Sequence, residues 1–157
     1  MIFTVKGDLL TYNQDQENRV ICHQCNCTTT RGFGLASAIN KAFPYANIYS
    51  GKHKVDPINR NPGTIIARKS SNTTIINLLA QKYPSKPTID DTKEVRLSYF
   101  KQCLENLGAW CKDNVIELVY MPYGIGCGLA GGNWADYEAC IKAFSQTHNI
   151  NVVLVQL

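Results

Sequence analysis

The sequence contains few charged residues and no long apolar segment, and these absences exclude several classes of protein. Of its 157 residues 18% are charged, and the net charge of +4 is too small to indicate nucleic-acid binding by itself. No run of about 18 apolar residues occurs, so we expect no transmembrane helix and no membrane partner. The N-terminal residues Met1–Asp8 lack the basic region of a signal peptide. We therefore expect a cytoplasmic protein, or a nuclear one in a eukaryote.

Internal repeats, low-complexity linkers and a disulfide framework are also missing. A chain of this length without a linker predicts one domain over residues 1–157, and we expect a monomer. The seven cysteines are an odd number without a disulfide-like spacing, which predicts reduced thiols. Cys22 and Cys25 have C-x-x-C spacing, but on a strand Cys22 points away from both His23 and Cys25. We therefore expect no metal and no cofactor.

Strand-like and helix-like segments mix along the chain, which predicts an α/β fold with a mixed sheet covered by helices. Strands are predicted at Ile2–Lys6, Arg19–Gln24, Gly63–Arg68, Thr73–Leu79, Val115–Met121 and Asn151–Gln156. Apolar residues at helical spacing predict helices at Leu35–Phe43, Lys93–Cys111 and Trp134–His148. Residues 51–62 and 83–91 each contain two prolines and are predicted to be loops.

Glycine is concentrated in one segment, residues 123–134, which reads Tyr-Gly-Ile-Gly-Cys-Gly-Leu-Ala-Gly-Gly-Asn-Trp. The segment joins a predicted strand to a predicted helix, where backbone N–H groups and a helix N-terminus can bind an anion. It lacks the Gly-Lys-Ser ending of a P-loop, and it lies too near the C-terminus for a dinucleotide-binding fold. The stretch His23–Gly34 has a similar arrangement. Together the two loops predict a phosphate site between them.

Three motifs, in this order, resemble those of the macrodomains: Lys6-Gly7-Asp8-Leu9-Leu10, the stretch His23–Gly34 and the stretch Tyr123–Trp134. The resemblance implies a three-layer α/β/α sandwich around a mixed sheet of about six strands, with an ADP-ribose cleft on top. It also implies that the partner is ADP-ribose or an ADP-ribosylated macromolecule. Nucleic acid is then expected only as a modified substrate.

The resemblance assigns roles to individual residues. Asp8 is expected to accept a hydrogen bond from adenine, with Leu9 beside it, and Asn26 to bind the distal ribose. Tyr123 or Trp134 is expected to pack on a sugar or on the adenine. The residues expected to line the diphosphate are Gly32, Phe33, Gly34 and Leu35 on one side and Gly124, Ile125, Gly126, Cys127, Gly128, Leu129 and Ala130 on the other.

Cys25-Asn26-Cys27 and Ile125–Leu129 are similar to a branch that includes ADP-ribosyl glycohydrolases and a yeast-type ADP-ribose 1″-phosphate phosphatase. This similarity predicts a hydrolase that removes ADP-ribose from a macromolecule, or phosphate from ADP-ribose 1″-phosphate. Lys82, just after the strand Thr73–Leu79, is the matching candidate nucleophile, and His23 is a candidate general acid or base. The alternatives are a solvated Lys82 and a His23 that is hydrogen-bonded within the sheet.

Two other functions stay open at this point. One glycohydrolase type has an aspartate where this chain has Ala130, which favours a module that binds ADP-ribose without turnover. Nucleotide or RNA binding is the third hypothesis, supported by the mild positive charge and a few aromatic residues.

Overall fold

A six-stranded sheet forms the centre of the molecule. The computed structural model describes residues 1–29, 31–49 and 60–157. Its strands are β1 (Ile2–Lys6), β2 (Arg19–Asn26), β3 (Ile65–Ser70), β4 (Thr73–Gln81), β5 (Leu118–Pro122) and β6 (Asn151–Gln156). They lie in the order β1-β6-β5-β2-β4-β3. All neighbouring strands are parallel except β3 and β4, which form an antiparallel hairpin.

Helices cover both faces of this sheet. The described helices are α1 (Leu35–Ala42), α2 (Lys93–Asp113) and α3 (Trp134–His148), with a short 3₁₀ helix at Pro44–Ala46. One core cluster joins α2 and α3 to the sheet, and a second joins α1 and the 3₁₀ helix to the opposite face. The predicted three-layer α/β/α architecture with a mixed six-stranded sheet is therefore confirmed. None of the described helices is both long enough and apolar enough to cross a membrane.

Strand ends account for most of the differences from the predicted elements. The bounds of β1, α3 and β6 agree with prediction, whereas β2 continues to Asn26 and β4 continues to Gln81. Strand β5 begins at Leu118 rather than Val115, because α2 extends to Asp113 and Val115 has a left-handed φ of 56°. Residues 51–59 of the predicted loop at 51–62 lie outside the described residues.

The central strands β2 and β4 are buried along nearly their whole length. Their side chains alternate between the two faces, so Val20 and Cys22 pack in the cluster with α2 and α3, while Ile21 packs with α1. Burial on both faces explains why these strands read as continuous apolar runs. Cys22 and Cys25 lie in clusters on opposite faces, as predicted.

Helices α2 and α3 approach closely at Gly108. A Cβ atom at this position would lie 2.3 Å from His148 Nδ1 and 2.6 Å from His148 Cγ. The imidazole ring also stacks near Phe144, with 5.3 Å between ring centroids, and its Nε2 lies 3.5 Å from Glu105 Oε1. Gly108 is thus required by packing.

We predict that Gly108→Ala lowers the free energy of unfolding by about 1–3 kcal/mol, because overpacking outweighs the better helix propensity of alanine. In a His148→Ala background the same change should be neutral or stabilising by up to about 1 kcal/mol. Urea denaturation of the four proteins of this double-mutant cycle measures both effects. An equal loss in both backgrounds would contradict the proposed steric contact.

Candidate functional site

A cavity of about 290 Å³ opens at the carboxyl ends of β2, β4 and β5. The described lining residues come from the ends of these strands and from the segments that follow them. They are Gln24, Asn26, Phe33, Gly34, Leu35, Ala36, Tyr49, Gln81, Pro84, Ser85, Pro122, Tyr123, Gly124, Ile125, Gly126, Gly128, Leu129 and Ala130. None of these side chains carries a charge at neutral pH.

One wall of the cavity is the N-terminus of α1, together with residues 31–34, which we call the first glycine loop. Gly34 precedes the helix with a φ of 55°, and no side chain caps the helix. The N–H groups of Gly34 and Leu35 donate to no described residue. By contrast, α2 and α3 are capped by the side chains of Thr92 and Asn133. The helix end at the cavity therefore keeps free donors and the partial positive charge of the helix dipole.

The opposite wall is formed by residues 123–133, the second glycine loop. Within it, the N–H groups of Ile125, Cys127, Gly131 and Gly132 bond to backbone carbonyls 2.9–3.1 Å away. The lining N–H groups without a partner among the described residues are those of Gly124, Gly126, Gly128, Leu129 and Ala130. Successive free backbone donors in a turn form a concave site for an anion.

The glycines of this loop have different structural requirements. Gly126 has a φ of 79°, and a Cβ there would lie 2.3 Å from Tyr137 Cε2. Gly132 is similarly enclosed, with 2.6 Å to Gly126 O, and Gly131 packs against Pro87. A Cβ at Gly128 would meet no atom within 4 Å, and its φ is not left-handed. Neither packing nor backbone conformation therefore explains why position 128 is glycine.

The floor of the cavity is polar. Asn26 Oδ1 accepts hydrogen bonds from the N–H groups of Thr28 and Thr29, both at 3.0 Å. Its Nδ2 has no partner among the described residues and remains available to a ligand. Beside it, Gln24 Nε2 donates to Gln81 Oε1 at 2.8 Å. The floor can thus bind hydroxyl groups without carrying a charge.

Comparison of this chain with known proteins identifies its fold. No protein-family model matches the chain. An ADP-ribose 1″-phosphate phosphatase of Candida albicans is 28% identical over 164 aligned residues, which cover 98% of this chain and all of that protein. The solved macrodomain of Thermus aquaticus DarG superposes with a TM-score of 0.75 at 20% identity, covering 100% of this chain and 98% of that one.

The chain has the macrodomain fold.

A third match is to a larger solved structure. The structure of Thermosipho africanus DarTG in complex with ADP-ribose matches with a TM-score of 0.69 and 17% identity. The match covers 99% of this chain and 42% of the DarTG chain.

Most residues predicted for the two loops do line the cavity. The exceptions are Gly32, Cys127 and Trp134. Gly32 belongs to the first glycine loop but does not line the cavity, and a Cβ there would be 2.9 Å from Asn40 Nδ2. The thiol of Cys127 donates to Ile125 O at 3.4 Å, and burial raises its pKa to about 11. Trp134 supports the wall by packing its ring 4.8 Å from that of Tyr123.

Lys82 does not line the cavity. β4 ends at Gln81, which lines the cavity, and Lys82 follows the strand without lining it. Lys82 is exposed, and its Nζ lies 5.4 Å from the centroid of the Tyr83 ring. The lining residue beside the predicted nucleophile is therefore an uncharged amide.

His23 lies within the sheet rather than at the cavity. Its side chain is 1% exposed, and its Nε2 lies 2.7 Å from Asn77 Oδ1 on the neighbouring strand. Asn77 Nδ2 donates to the carbonyls of Ala46 and Ile66, so Oδ1 must accept, and His23 carries its proton on Nε2. Burial lowers the pKa of His23 to about 4. This geometry favours the alternative of a structural histidine.

Asp8 and Leu9 follow β1, which β6 separates from β5 and the cavity. Asp8 Oδ1 accepts a hydrogen bond from the N–H of Leu10 at 2.9 Å, and Leu9 is buried in the core. Neither is among the described lining residues. Their predicted contact with adenine remains a prediction.

Seven lining residues were not predicted from the sequence: Gln24, Ala36, Tyr49, Gln81, Pro84, Ser85 and Pro122. Gln24 could have been found, because it lies two residues before Asn26 on the same face of a strand. Tyr49 has no sequence signal. Its hydroxyl accepts a hydrogen bond from the Asn26 N–H at 2.8 Å, and thus fixes the floor from a distant segment.

The buried His23 predicts a specific pH dependence of stability. Its folded pKa of about 4 lies below the usual 6.5, so the unfolded state binds more protons between these values. The free energy of unfolding should therefore fall by up to about 3 kcal/mol as the pH drops from 6.5 to 4. Urea denaturation across this range should show a smaller fall in His23→Gln, whereas His148→Gln serves as the control. Identical pH profiles for His23→Gln and the wild type would contradict the assignment.

Proposed function

We propose that this protein binds ADP-ribose in the cavity. The observation that carries the proposal is the pair of facing walls with unpaired backbone N–H groups, at the uncapped end of α1 and in the second glycine loop. Such donors suit the oxygens of a diphosphate, which approach the backbone closely. The DarTG structure with ADP-ribose supports the choice of ligand.

The remaining lining residues fit the rest of this ligand. The free Nδ2 of Asn26 can donate to a ribose hydroxyl on the cavity floor. Phe33, Tyr123 and Leu129 line the cavity and are 38–62% exposed, so each offers apolar surface to a sugar or a base. In this arrangement the diphosphate lies between the loops and the distal ribose lies over the floor.

Gly128 is the best position for a test, because a side chain there fits without displacing a neighbouring atom and should leave the protein folded. We expect Gly128→Glu to weaken ADP-ribose binding by at least about 100-fold, since the carboxylate would occupy and repel the phosphate site. Calorimetric titration measures the affinity, and circular dichroism checks the fold. Gly126→Glu is less suitable, because the clash with Tyr137 would disturb the loop itself.

Gln146→Glu is the matched control for this experiment. It adds the same charge on an exposed residue in the last turn of α3, at the opposite end from the second glycine loop. Wild-type affinity in a folded Gly128→Glu protein would contradict the proposed phosphate site. A loss of affinity in both variants would assign the effect to net charge.

Hydrolysis at the distal ribose is the second candidate function. The relationship to the Candida albicans phosphatase, which extends over the whole chain, favours ADP-ribose 1″-phosphate as the substrate. Release of ADP-ribose from a modified macromolecule would use the same cavity. Binding the diphosphate in the loops would hold the reacting end of either substrate over Asn26 and Gln81.

Binding without turnover is the alternative. It is favoured by the composition of the cavity, because no described lining side chain is ionised near neutral pH. Ala130 also lines the cavity at the position where one glycohydrolase type has an aspartate.

Phosphate release from ADP-ribose 1″-phosphate decides between these two functions. We expect release by the wild type, its loss in Gly128→Glu, and its retention in Lys82→Ala, because Lys82 does not line the cavity. Loss of turnover in Lys82→Ala with unchanged ADP-ribose affinity would instead support the lysine nucleophile predicted from the sequence. Tight binding with no turnover of this ester or of ADP-ribosylated substrates would favour the reader function.

A further inference from the structure

One buried arginine joins the second glycine loop to the segment that follows β4. Arg96 lies in the first turns of α2 and is 1% exposed. Its Nη1 donates to two carbonyl oxygens, Ser85 O at 2.6 Å and Ala130 O at 3.0 Å. Ser85 and Ala130 both line the cavity, whereas Arg96 does not. A single nitrogen atom thus connects two walls that are 45 residues apart in the sequence.

The rest of the guanidinium holds the segment of residues 82–91, which follows β4. Nη2 donates to Tyr83 O at 3.0 Å and to Lys86 O at 3.3 Å, and Nε donates to Asp91 Oδ2 at 2.9 Å. The same carboxylate oxygen accepts the N–H groups of Lys82 and Tyr83, so Asp91 fixes the start of the segment. Asp91 also neutralises the buried charge.

A second contact brings these walls together at the same place. A Cβ on Gly131 would lie 2.9 Å from Pro87 Cδ, so the two segments are packed as closely as the backbone permits. Ser85 O and Ala130 O are both acceptors and would repel each other without a donor between them. The planar guanidinium supplies several donors in a fixed geometry, which a lysine ammonium cannot reproduce.

We propose that Arg96 is a positioning residue that sets the separation of the two cavity walls and thereby controls ligand affinity. The inference rests on the proposed function, because it takes ADP-ribose as the ligand. Arg96 acts through the carbonyls of Ser85 and Ala130, which place Pro84, Ser85 and the free N–H groups of Leu129 and Ala130 around the cavity.

Arg96→Lys tests this role, because lysine keeps the charge beside Asp91 but cannot reach all the carbonyls. We expect ADP-ribose affinity, measured by calorimetry well below the melting temperature, to fall by about tenfold or more. Leu107→Ala is the matched control, since it truncates a buried core residue of the same helix that does not line the cavity. The control should lower the melting temperature but leave the affinity unchanged.

Amide hydrogen exchange gives a readout that requires no ligand. In Arg96→Lys, the hydrogen-bonded amides of Lys82 and Tyr83 in one segment and of Gly131 and Gly132 in the other should both exchange faster, whereas Leu107→Ala should not loosen them selectively. A folded Arg96→Lys protein with wild-type affinity, or with faster exchange in only one of the two segments, would overturn the proposal. If the wild type does not bind ADP-ribose, the proposed function fails, and hydrogen exchange still tests the connection between the walls.

A measurement on the wild type covers the case in which Arg96→Lys does not fold. Arg96 does not line the cavity, so a change in its guanidinium NMR signals on titration reports a change in the walls that it joins. We expect the Arg96 Nε–H and Nη–H resonances to shift when ADP-ribose is added. Unchanged Arg96 signals, while the amide signal of Gly128 shifts, would overturn the proposal.

Discussion

The parallel pairing of β2 with β4 and β5 is the constraint on which the rest of this structure depends. Parallel neighbours end at the same edge of a sheet, so the chain must leave that edge after each of the three strands. The segments that follow them form the two glycine-loop walls and the wall that contains Pro84 and Ser85. Because β2 and β4 are buried on both faces, their register has little freedom, and the ends of these strands place the site accurately.

The electrostatics of the cavity follow from the same arrangement. The available donors are main-chain N–H groups, and the helix dipole of α1 adds a partial positive charge at one wall. The buried Arg96 does not line the cavity; it is neutralised by Asp91 and donates to the carbonyls of Ser85 and Ala130 in the walls. The site can therefore attract an anion without an ionised side chain, and it avoids the desolvation cost that such a side chain would incur.

Local patterns predicted much of this fold and part of the site. Apolar runs and helical spacing located every described strand and α-helix but not the short 3₁₀ helix at Pro44–Ala46, and the glycine loops identified both walls. The prediction of the site failed where the placement of a single residue decides whether that residue belongs to it. β4 continues two residues further than predicted, to Gln81, and it is Gln81 rather than Lys82 that lines the cavity; no local pattern marks where a buried strand ends. His23 has the residue type of a catalyst, but its partner Asn77 lies on a strand far along the chain. Tyr49 and Arg96 reach the site only through tertiary contacts.

The use of main-chain donors has a consequence for the evolution of such a site. Every amino acid except proline carries an N–H group, so most substitutions along the second glycine loop leave the recognition groups in place. What must persist is the path of the backbone, which depends on a few glycines with left-handed conformation and on buried supports such as Tyr137. Substitution at the remaining positions leaves the donors in place, and it preserves the site as long as the new side chain stays out of the cavity. A change in loop length or loop path, by contrast, would move the donors themselves.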